Sequence, residues 1–297
     1  MSGPLTTQPT KGLKVRRTGS GRPLELIVVY SLLTLSAAFL LLPLLWAVAA
    51  SFTPNEKVFA YAYPFSLRAL LPLDFTLDAY KALFARGFGR TLLNTLVLGL
   101  VTLFVGGFAN ALAGFAFARF QFRGKNLIFL GIVMTSFLVP VDLTVIPRYI
   151  LVKEFGWINT WQGLIVPGLA SSLVIFLFRQ FFAELPQELI DAARVDGATY
   201  FQLFVRVVLP ISKPALLTAG LLIFLSQWDA FFWPLVVASD PGLRVVQVDI
   251  SQAVGQYQTR WNELLAGSML AALIPILLVL PFQSYYVRGL TGAGLKE

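Results

Sequence analysis

The chain has 297 residues, carries a formal net charge of +8, and is 57% hydrophobic with only 13% of its residues charged. Its mean hydropathy of +0.75 means far more apolar surface than a soluble core needs, so the composition indicates a polytopic membrane protein. Because the sequence contains no cysteine and no histidine, it excludes disulfides, thiol nucleophiles, imidazole relays and histidine-ligated metals, and we assign no catalytic residue and no metal ligand.

The excess of lysine and arginine allows two interpretations. It could attract nucleic acid, but in a membrane protein basic residues more often mark the cytoplasmic loops, so we expect no nucleic-acid partner. Residues 1–23 are polar and basic with almost no large apolar side chain. They are predicted to form a disordered cytoplasmic tail ahead of a transmembrane domain at 24–297.

The first apolar run, at residues 26–52, is predicted to span the membrane. Ala47-Val48-Ala49 near the end of the run resembles a signal-peptidase cleavage site, and the N-terminal segment before the run is basic, as in a signal peptide. The run is about twice as long as the apolar region of a signal peptide and long enough for a hydrocarbon core of roughly 30 Å. We therefore interpret it as a retained span.

Further apolar runs predict about six spans in total. They lie at 92–117, from 127 onward, up to 182, at 215–237 and at 264–286. The distribution of basic residues places both termini in the cytoplasm. Three segments are then outer segments: 53–90, 238–263 and a short outer loop with Pro147, Arg148, Lys153 and Glu154. The basic residues of 53–90 depart from the usual charge asymmetry, which long loops follow less strictly.

Polar residues within the spans need partners, because an unpaired amide or charge in hydrocarbon is costly. Asn94 and Asn110 are therefore expected to face other helices or a wet interior. Asp229 is a lone acid within the span predicted at 215–237. A charge there costs on the order of 2.5–3.5 kcal/mol on insertion scales, so Asp229 should face a cavity or a paired helix. Small residues four apart, such as Gly114 and Ala118, should let helices approach closely.

One short loop contains the basic residues Arg119, Arg123 and Lys125, which predict that it is cytoplasmic. Its Gly124-Lys125 is not part of a phosphate-binding loop. Arg119 and Asn126 stand where that motif needs a glycine and a serine or threonine. No ATPase site is predicted in this chain.

The segment 184–214 is too polar for lipid, yet strongly patterned. Pro186 and Glu188 suit the first turn of a helix that Gly197 should end. Thr199 and Gln202 form a capping-box pattern at the start of a second helix. That helix is expected to have an apolar face formed by Tyr200, Phe204, Val207 and Val208 and to stop at Leu209-Pro210.

The segment is therefore predicted to fold as a helix, a glycine turn and a second helix, with Asp191, Arg194 and Asp196 exposed around the turn. Basic residues in and beside the segment place it on the cytoplasmic side. A simple connector between two spans is the alternative interpretation.

The residue order of this segment resembles a known loop. Asp191-Ala192-Ala193 is followed by Gly197 and then by Val207 before Leu209-Pro210, which resembles the cytoplasmic EAA loop of ATP-binding cassette importer permeases. Asp191 stands where that family has glutamate, and Val207 where it has isoleucine. If the family carboxylate pairs with a base on the ATPase, the shorter Asp191 implies a closer or water-bridged contact.

From Thr76 onward the chain is similar to the smaller, maltose-type permease subunit of carbohydrate importers. Besides the EAA-like loop, the similarity rests on Pro140, Pro147, Gln180-Phe181-Phe182, Trp228 and the closing Arg288-Gly289-Leu290-Thr291-Gly292-Ala293. It implies an all-α, multi-pass permease domain at 24–297, with a coupling loop at 184–214, in a bacterial or archaeal plasma (inner) membrane.

The same resemblance implies the partners. They are a second permease subunit, an ABC ATPase dimer, an extracytoplasmic solute-binding protein, membrane lipid and a carbohydrate substrate, which could be a mono-, di- or oligosaccharide. ATP and Mg would be bound by the partner ATPase, so this chain would hold no cofactor and would not itself be an enzyme. A short helix in the coupling loop would plug into the ATPase, through Glu188, Asp191, Ala192, Ala193, Asp196, Gly197 and Ala198.

Four residues are candidates for the substrate pathway: Asn94, Gln227, Trp228 and Asp229. Amides and carboxylates can bond sugar hydroxyls, and an aromatic face can stack on a pyranose ring. The alternative is structural: Gln227 and Asp229 would pair between helices, and Trp228 would anchor the membrane interface. Tyr257 and Trp261 could likewise touch the binding protein or anchor the interface.

Two other classes of protein compete with an importer subunit. A secondary transporter of a small polar solute would need its own ion-coupling acids in the membrane and usually has inverted halves. Here Asp229 is the lone deep acid and the two halves look unlike. A membrane enzyme would need clustered acids or nucleophiles, and the sequence has none.

Overall fold

The computed structural model describes residues 23–282, apart from 61, 63–65 and 256 and the side chains of 23, 24, 135–137, 141 and 142. The predictions for the tail up to residue 22, for the closing motif at 288–293 and for the two termini lie outside these residues. Contacts divide the chain into two units, Met1–Trp46 and Ala47–Glu297. The first holds most of the first helix, and the second holds all the other helices.

The described residues are helical, without a strand among them, as the predicted all-α class requires. The helices are α1 (Pro23–Ser51), α2 (Asp78–Ala85), α3 (Phe88–Arg119), α4 (Lys125–Leu138), α5 (Val145–Glu154), α6 (Trp161–Gly168), α7 (Ser172–Glu184), α8 (Gln187–Val195), α9 (Tyr200–Ile211), α10 (Lys213–Trp228), α11 (Phe232–Val237), α12 (Val246–Ser251) and α13 (Trp261–Phe282). Short 3-10 turns lie at Asn55–Lys57, Leu67–Leu70, Val141–Thr144 and Pro241–Leu243.

Each predicted span has a helical counterpart. Within the described residues, α1, α3 and α13 are long and apolar enough to cross a membrane, and the bent pairs α6 with α7 and α9 with α10 raise the number to as many as five. The sixth counterpart, α4, is apolar but has only 14 residues, about 21 Å of helix. Pro43 lies inside α1 without ending it, and Pro23, the last residue of the predicted tail, already begins α1.

The fourth span is broken rather than continuous. Its halves, α6 and α7, meet at an angle of 44°, because Pro167 removes a backbone donor and Leu169 to Ser171 leave the helix. Asn110 of α3 satisfies the freed groups: its Nδ2 donates to the Leu169 carbonyl at 2.8 Å, and its Oδ1 accepts from the Ser171 N–H at 2.9 Å. The expectation that Asn110 faces a partner is thus confirmed.

The predicted outer loop after the third span is largely a helix, α5. Pro147 lies in its first turn, where a missing N–H is tolerated, and Val145 and Val152 are buried on one face. The connection between the third and fourth spans thus contains a helix, because a proline in the first turn does not prevent one. Its position outside the membrane stays a prediction.

The described part of the second unit has three clusters of buried apolar residues. One lies between α3, α7 and the segment 184–214 and includes Phe115, Phe178 and Phe204. The second surrounds Leu98, Leu164 and Val237, and the third surrounds Phe88 and Ala266.

The outer segments are tied together by ion pairs. Arg86 Nη1 lies 3.0 Å from Glu263 Oε2, and Lys57 Nζ lies 3.0 Å from Asp74 Oδ1. Lys57 and Arg86, two of the basic residues of 53–90, therefore each have an acidic partner.

Candidate functional site

The segment 184–214 forms the predicted helix, glycine turn and second helix. α8 begins after Pro186 and ends at Val195. Gly197 then takes a φ of +81°, a conformation that favours glycine. The Ala198 N–H donates to the Ala193 carbonyl at 3.0 Å and the Gly197 N–H to the Arg194 carbonyl at 3.0 Å, which closes the helix end.

The second helix begins at the predicted capping box. The Gln202 N–H donates to Thr199 Oγ1 at 3.3 Å, and the Thr199 N–H donates to Gln202 Oε1 at 2.9 Å. Two details of the prediction were wrong. α9 continues through Leu209-Pro210 to Ile211, and its buried face is Leu203, Phe204 and Val208, whereas Tyr200 is half exposed.

α8 has one packed face and one open face. Ile190 is buried at 4% exposure in the cluster with Phe178 and Phe204. Ala193, from the predicted coupling set, packs against the same cluster, and Ala198 is half-buried. The members of that set left exposed are Glu188, Asp191, Ala192, Asp196 and Gly197. Leu189 and Val195, apolar but 44% and 88% exposed, lie beside them.

Arg119, at the end of α3, ties α8 to the membrane domain. Its Nη2 donates to the Leu185 carbonyl at 2.6 Å, and its Nη1 donates to Gln187 Oε1 at 2.9 Å. Gln187 Nε2 in turn donates to Asp191 Oδ1 at 3.0 Å. The sequence offered Arg119 only as a marker of a cytoplasmic loop, and the separation of 68 residues hid its contact with Gln187.

Two of the four substrate-pathway candidates have structural contacts. Asn94 Nδ2 donates to the carbonyls of Gly242 and Arg244 at 2.9 and 3.0 Å, so it anchors the outer segment, and both its amide hydrogens are engaged. Trp228 is 2% exposed, and its Nε1 donates to the Ala271 carbonyl at 3.2 Å. Both residues thus have contacts inside the protein, and the burial of Trp228 does not match the alternative in which it anchors the membrane interface.

Asp229 is not in the middle of a helix, so its predicted position was wrong. α10 ends at Trp228 and α11 begins at Phe232, because Pro234 lacks the N–H that a continuous helix would direct to the Ala230 carbonyl. Asp229 is exposed, and Gln247 Nε2 donates to its Oδ1 at 3.5 Å. Gln227, just before the break between α10 and α11, lines a cavity.

The cavity beside this break has a volume of about 240 Å³. Gln227, Phe231, Trp233 and Arg148 line it. Burial lowers the pKa of the Arg148 guanidinium, but an arginine titrates so far above neutrality that the group stays cationic. The sequence analysis placed Arg148 in an outer loop and assigned it no role. Arg148 and Gln227 are far apart in the sequence, so no local pattern predicts that they line the same cavity.

Comparison with known proteins agrees with this architecture. Residues 110–288 match the family of the binding-protein-dependent transport system inner membrane component. This chain belongs to that family. The permease is 32% identical to an arabinooligosaccharides transport system permease protein of Bacillus subtilis, over 86% of its own length and 90% of the relative's.

Other relatives of the permease extend the comparison. It is 32% identical to an sn-glycerol-3-phosphate transport system permease protein of Shigella flexneri, covering 91% of this chain and 97% of that one. It also has the fold of a chain in the crystal structure of a bacterial ABC transporter involved in the import of the acidic polysaccharide alginate. That match has a TM-score of 0.75 at 22% identity, over 89% of this chain and 96% of that chain.

Proposed function

We propose that the permease is one of two different permease subunits of an ATP-driven importer of carbohydrates or their derivatives, and that it lines half of the translocation pathway. The observation that carries this proposal is the family membership, together with relatives named for sugar and glycerophosphate transport. The solute-binding protein would dock on the outer segments, where Tyr257 is 95% exposed and Trp261 41% exposed.

Coupling in this proposal is mechanical. The ATPase dimer binds ATP and Mg and hydrolyses the nucleotide, and the permease contributes the open face of α8, with Asp191 and Ala192 at its centre. Closure of the dimer would drag α8, and Ile190 and Arg119 would pass the movement to α7, α9 and α3 through their contacts. The chain then converts nucleotide binding into a population shift between inward- and outward-open states.

The proposal also assigns an orientation. The permease lies in the bacterial or archaeal plasma (inner) membrane with the segment 184–214 and both termini in the cytoplasm. Such an orientation requires the outer segments with Arg148 and Tyr257 to face the binding protein.

Co-purification and transport assays test the proposal together. The permease extracted in mild detergent should bring along an ATPase and another permease, and uptake of the solute in proteoliposomes should require ATP and the binding protein. Uptake that follows a proton or sodium gradient without any ATPase would replace the proposal with a secondary transporter.

A further inference from the structure

Arg148 projects from α5 into the space next to the break between α10 and α11. It lines both the cavity of about 240 Å³ and a second cavity of about 410 Å³. Its guanidinium carbon lies 5.2 Å from the centre of the Trp233 ring. The Trp233 indole is itself fixed, because its Nε1 donates to the Gly163 carbonyl at 3.1 Å. This stacking holds the guanidinium in place between the two cavities.

The positive charge of Arg148 has no acidic partner among the residues that the structure describes. Its side chain makes one long hydrogen bond, from Nη2 to Thr144 Oγ1 at 3.4 Å. Arg148 is half-buried, and a guanidinium carries five N–H donors. Several donors of Arg148 therefore remain available to a ligand.

The wall around Arg148 suits an anion attached to a polar ring or chain. Gln227 faces the smaller cavity, and its side-chain amide has no hydrogen-bonding partner within the described part of the chain. Phe231 and Trp233 supply aromatic surface, and none of the described residues lining this cavity is acidic. A planar fork of donors matches a carboxylate or phosphate in two-point contact.

We propose that this cavity binds the anionic group of the transported solute, a carboxylate or phosphate on a sugar or polyol, with Arg148 as its counter-ion. Gln227 contacts neighbouring hydroxyls, and the aromatic side chains contact the carbon skeleton. The inference rests on the proposed function and narrows its substrate class from carbohydrates in general to acidic or phosphorylated ones.

The test uses the purified complex of the permease with its second permease and ATPase in a neutral detergent. The probes are galacturonate and sn-glycerol 3-phosphate, matched with galactose and glycerol, which have the same skeletons without the anion. Tryptophan fluorescence reports binding, and W233F identifies the part of the signal that comes from Trp233. We expect a saturable change with the anionic probes only.

Substitution of the arginine should then act on affinity. R148Q should weaken the apparent binding of the anionic probes about 10- to 100-fold, the range for losing hydrogen bonds to a charged group, and R148K should lose less because it keeps the charge. The matched control is R68Q, which removes the same charge from an exposed arginine of the outer loop and should leave binding unchanged.

Three results would overturn the inference. Equal responses to neutral and anionic probes would show that charge is not recognised. A response to dihexanoyl phosphatidylglycerol without one to the soluble probes would identify a lipid headgroup as the ligand. Loss of the second permease from the purified R148Q complex, with no anion response in the parent complex, would show that Arg148 pairs with an acid of that subunit.

The same purified complex distinguishes failure of the anion site from failure of the proposed importer function. A complex that assembles and hydrolyses ATP but ignores anions refutes the anion site alone. A permease that never associates with an ATPase refutes both.

Discussion

Gly114 is a point of close approach between α3 and α7. A Cβ added there would lie 2.6 Å from Phe178 Cβ, 3.0 Å from the Arg179 nitrogen and 3.2 Å from the Ile175 oxygen. Without a hydrophobic driving force between helices in lipid, such close packing of backbones stabilises their association. Gly114 therefore holds the second span against the half of the fourth span that leads into the coupling segment.

Replacing Gly114 with alanine should destabilise the folded permease. The added methyl meets backbone atoms that cannot rotate away, which costs about 1–3 kcal/mol and corresponds to a fall in Tm of about 2–12 °C. Thermal unfolding of the detergent-purified protein measures the change.

The matched control for this substitution is G107A, in the same helix. Its added Cβ meets only Ile223 Cδ1, at an ordinary 3.6 Å, and alanine is the better helix former. An equal fall in Tm for both variants would contradict the close-approach explanation.

At the scale of the element, α8 combines a fixed face with an open one. Ile190 and Ala193 pack inward, and Arg119 and Gln187 hold the first turn. The opposite face carries Glu188, Asp191, Ala192 and the apolar Val195, all exposed. Such a helix can be pulled from outside without coming apart from the spans, which is the property that a mechanical coupling element needs.

Filling the open face of α8 should uncouple the importer while leaving the permease folded. We expect A192W to lower ATP-driven uptake about 10- to 100-fold, since overpacking a docked contact costs about 1–3 kcal/mol. The Tm of the isolated permease should stay unchanged, because Ala192 contacts solvent in this chain. Uptake into proteoliposomes and thermal unfolding check the two halves of this prediction.

A183W provides the comparison, since Ala183 is also exposed but lies at the end of α7, before the coupling helix. It should retain uptake, as an aromatic residue is well tolerated at the membrane interface. Full activity in A192W would mean that the ATPase does not dock on this face.

At the scale of the whole molecule, function depends on which side of the membrane each loop occupies. α9 and α10 meet at 86°, with Ser212 at the corner and Pro214 in the first turn of α10. In the orientation that we propose, α9 lies along the cytoplasmic surface while α10 crosses the membrane. The chain then crosses the membrane once between the coupling segment 184–214 and the outer segment 238–263. In that outer segment, an antiparallel bridge pairs Val254 with Thr259.

Single cysteines can test this arrangement directly, because the natural sequence has none. Val195 and Tyr257 are 88% and 95% exposed, so burial would not prevent labelling at either place. In intact spheroplasts, a membrane-impermeant maleimide should label Y257C and should reach V195C only after the membrane is disrupted. Labelling of V195C from outside would contradict a cytoplasmic coupling segment and with it the importer proposal.

Local patterns in the sequence predicted much of this architecture. The apolar runs predicted the spans because lipid requires long stretches of apolar helix. The turn at Gly197 and the capping box of Thr199 and Gln202 were predicted because each involves residues a few positions apart. The family resemblance pointed to the segment 184–214 through the order of its residues alone.

Tertiary structure decided what depends on residues far apart in the chain. Asn110 satisfies the break in the fourth span, Ala193 turns inward toward the bundle, and Arg119 reaches Gln187 across 68 residues. The sequence left the roles of Asn94 and Trp228 open. The structure shows that Asn94 bonds to the outer segment and that Trp228 bonds to α13. Periodicity reports which residues avoid water, but only packing determines which helix each of them meets, and so which polar groups remain free for a solute.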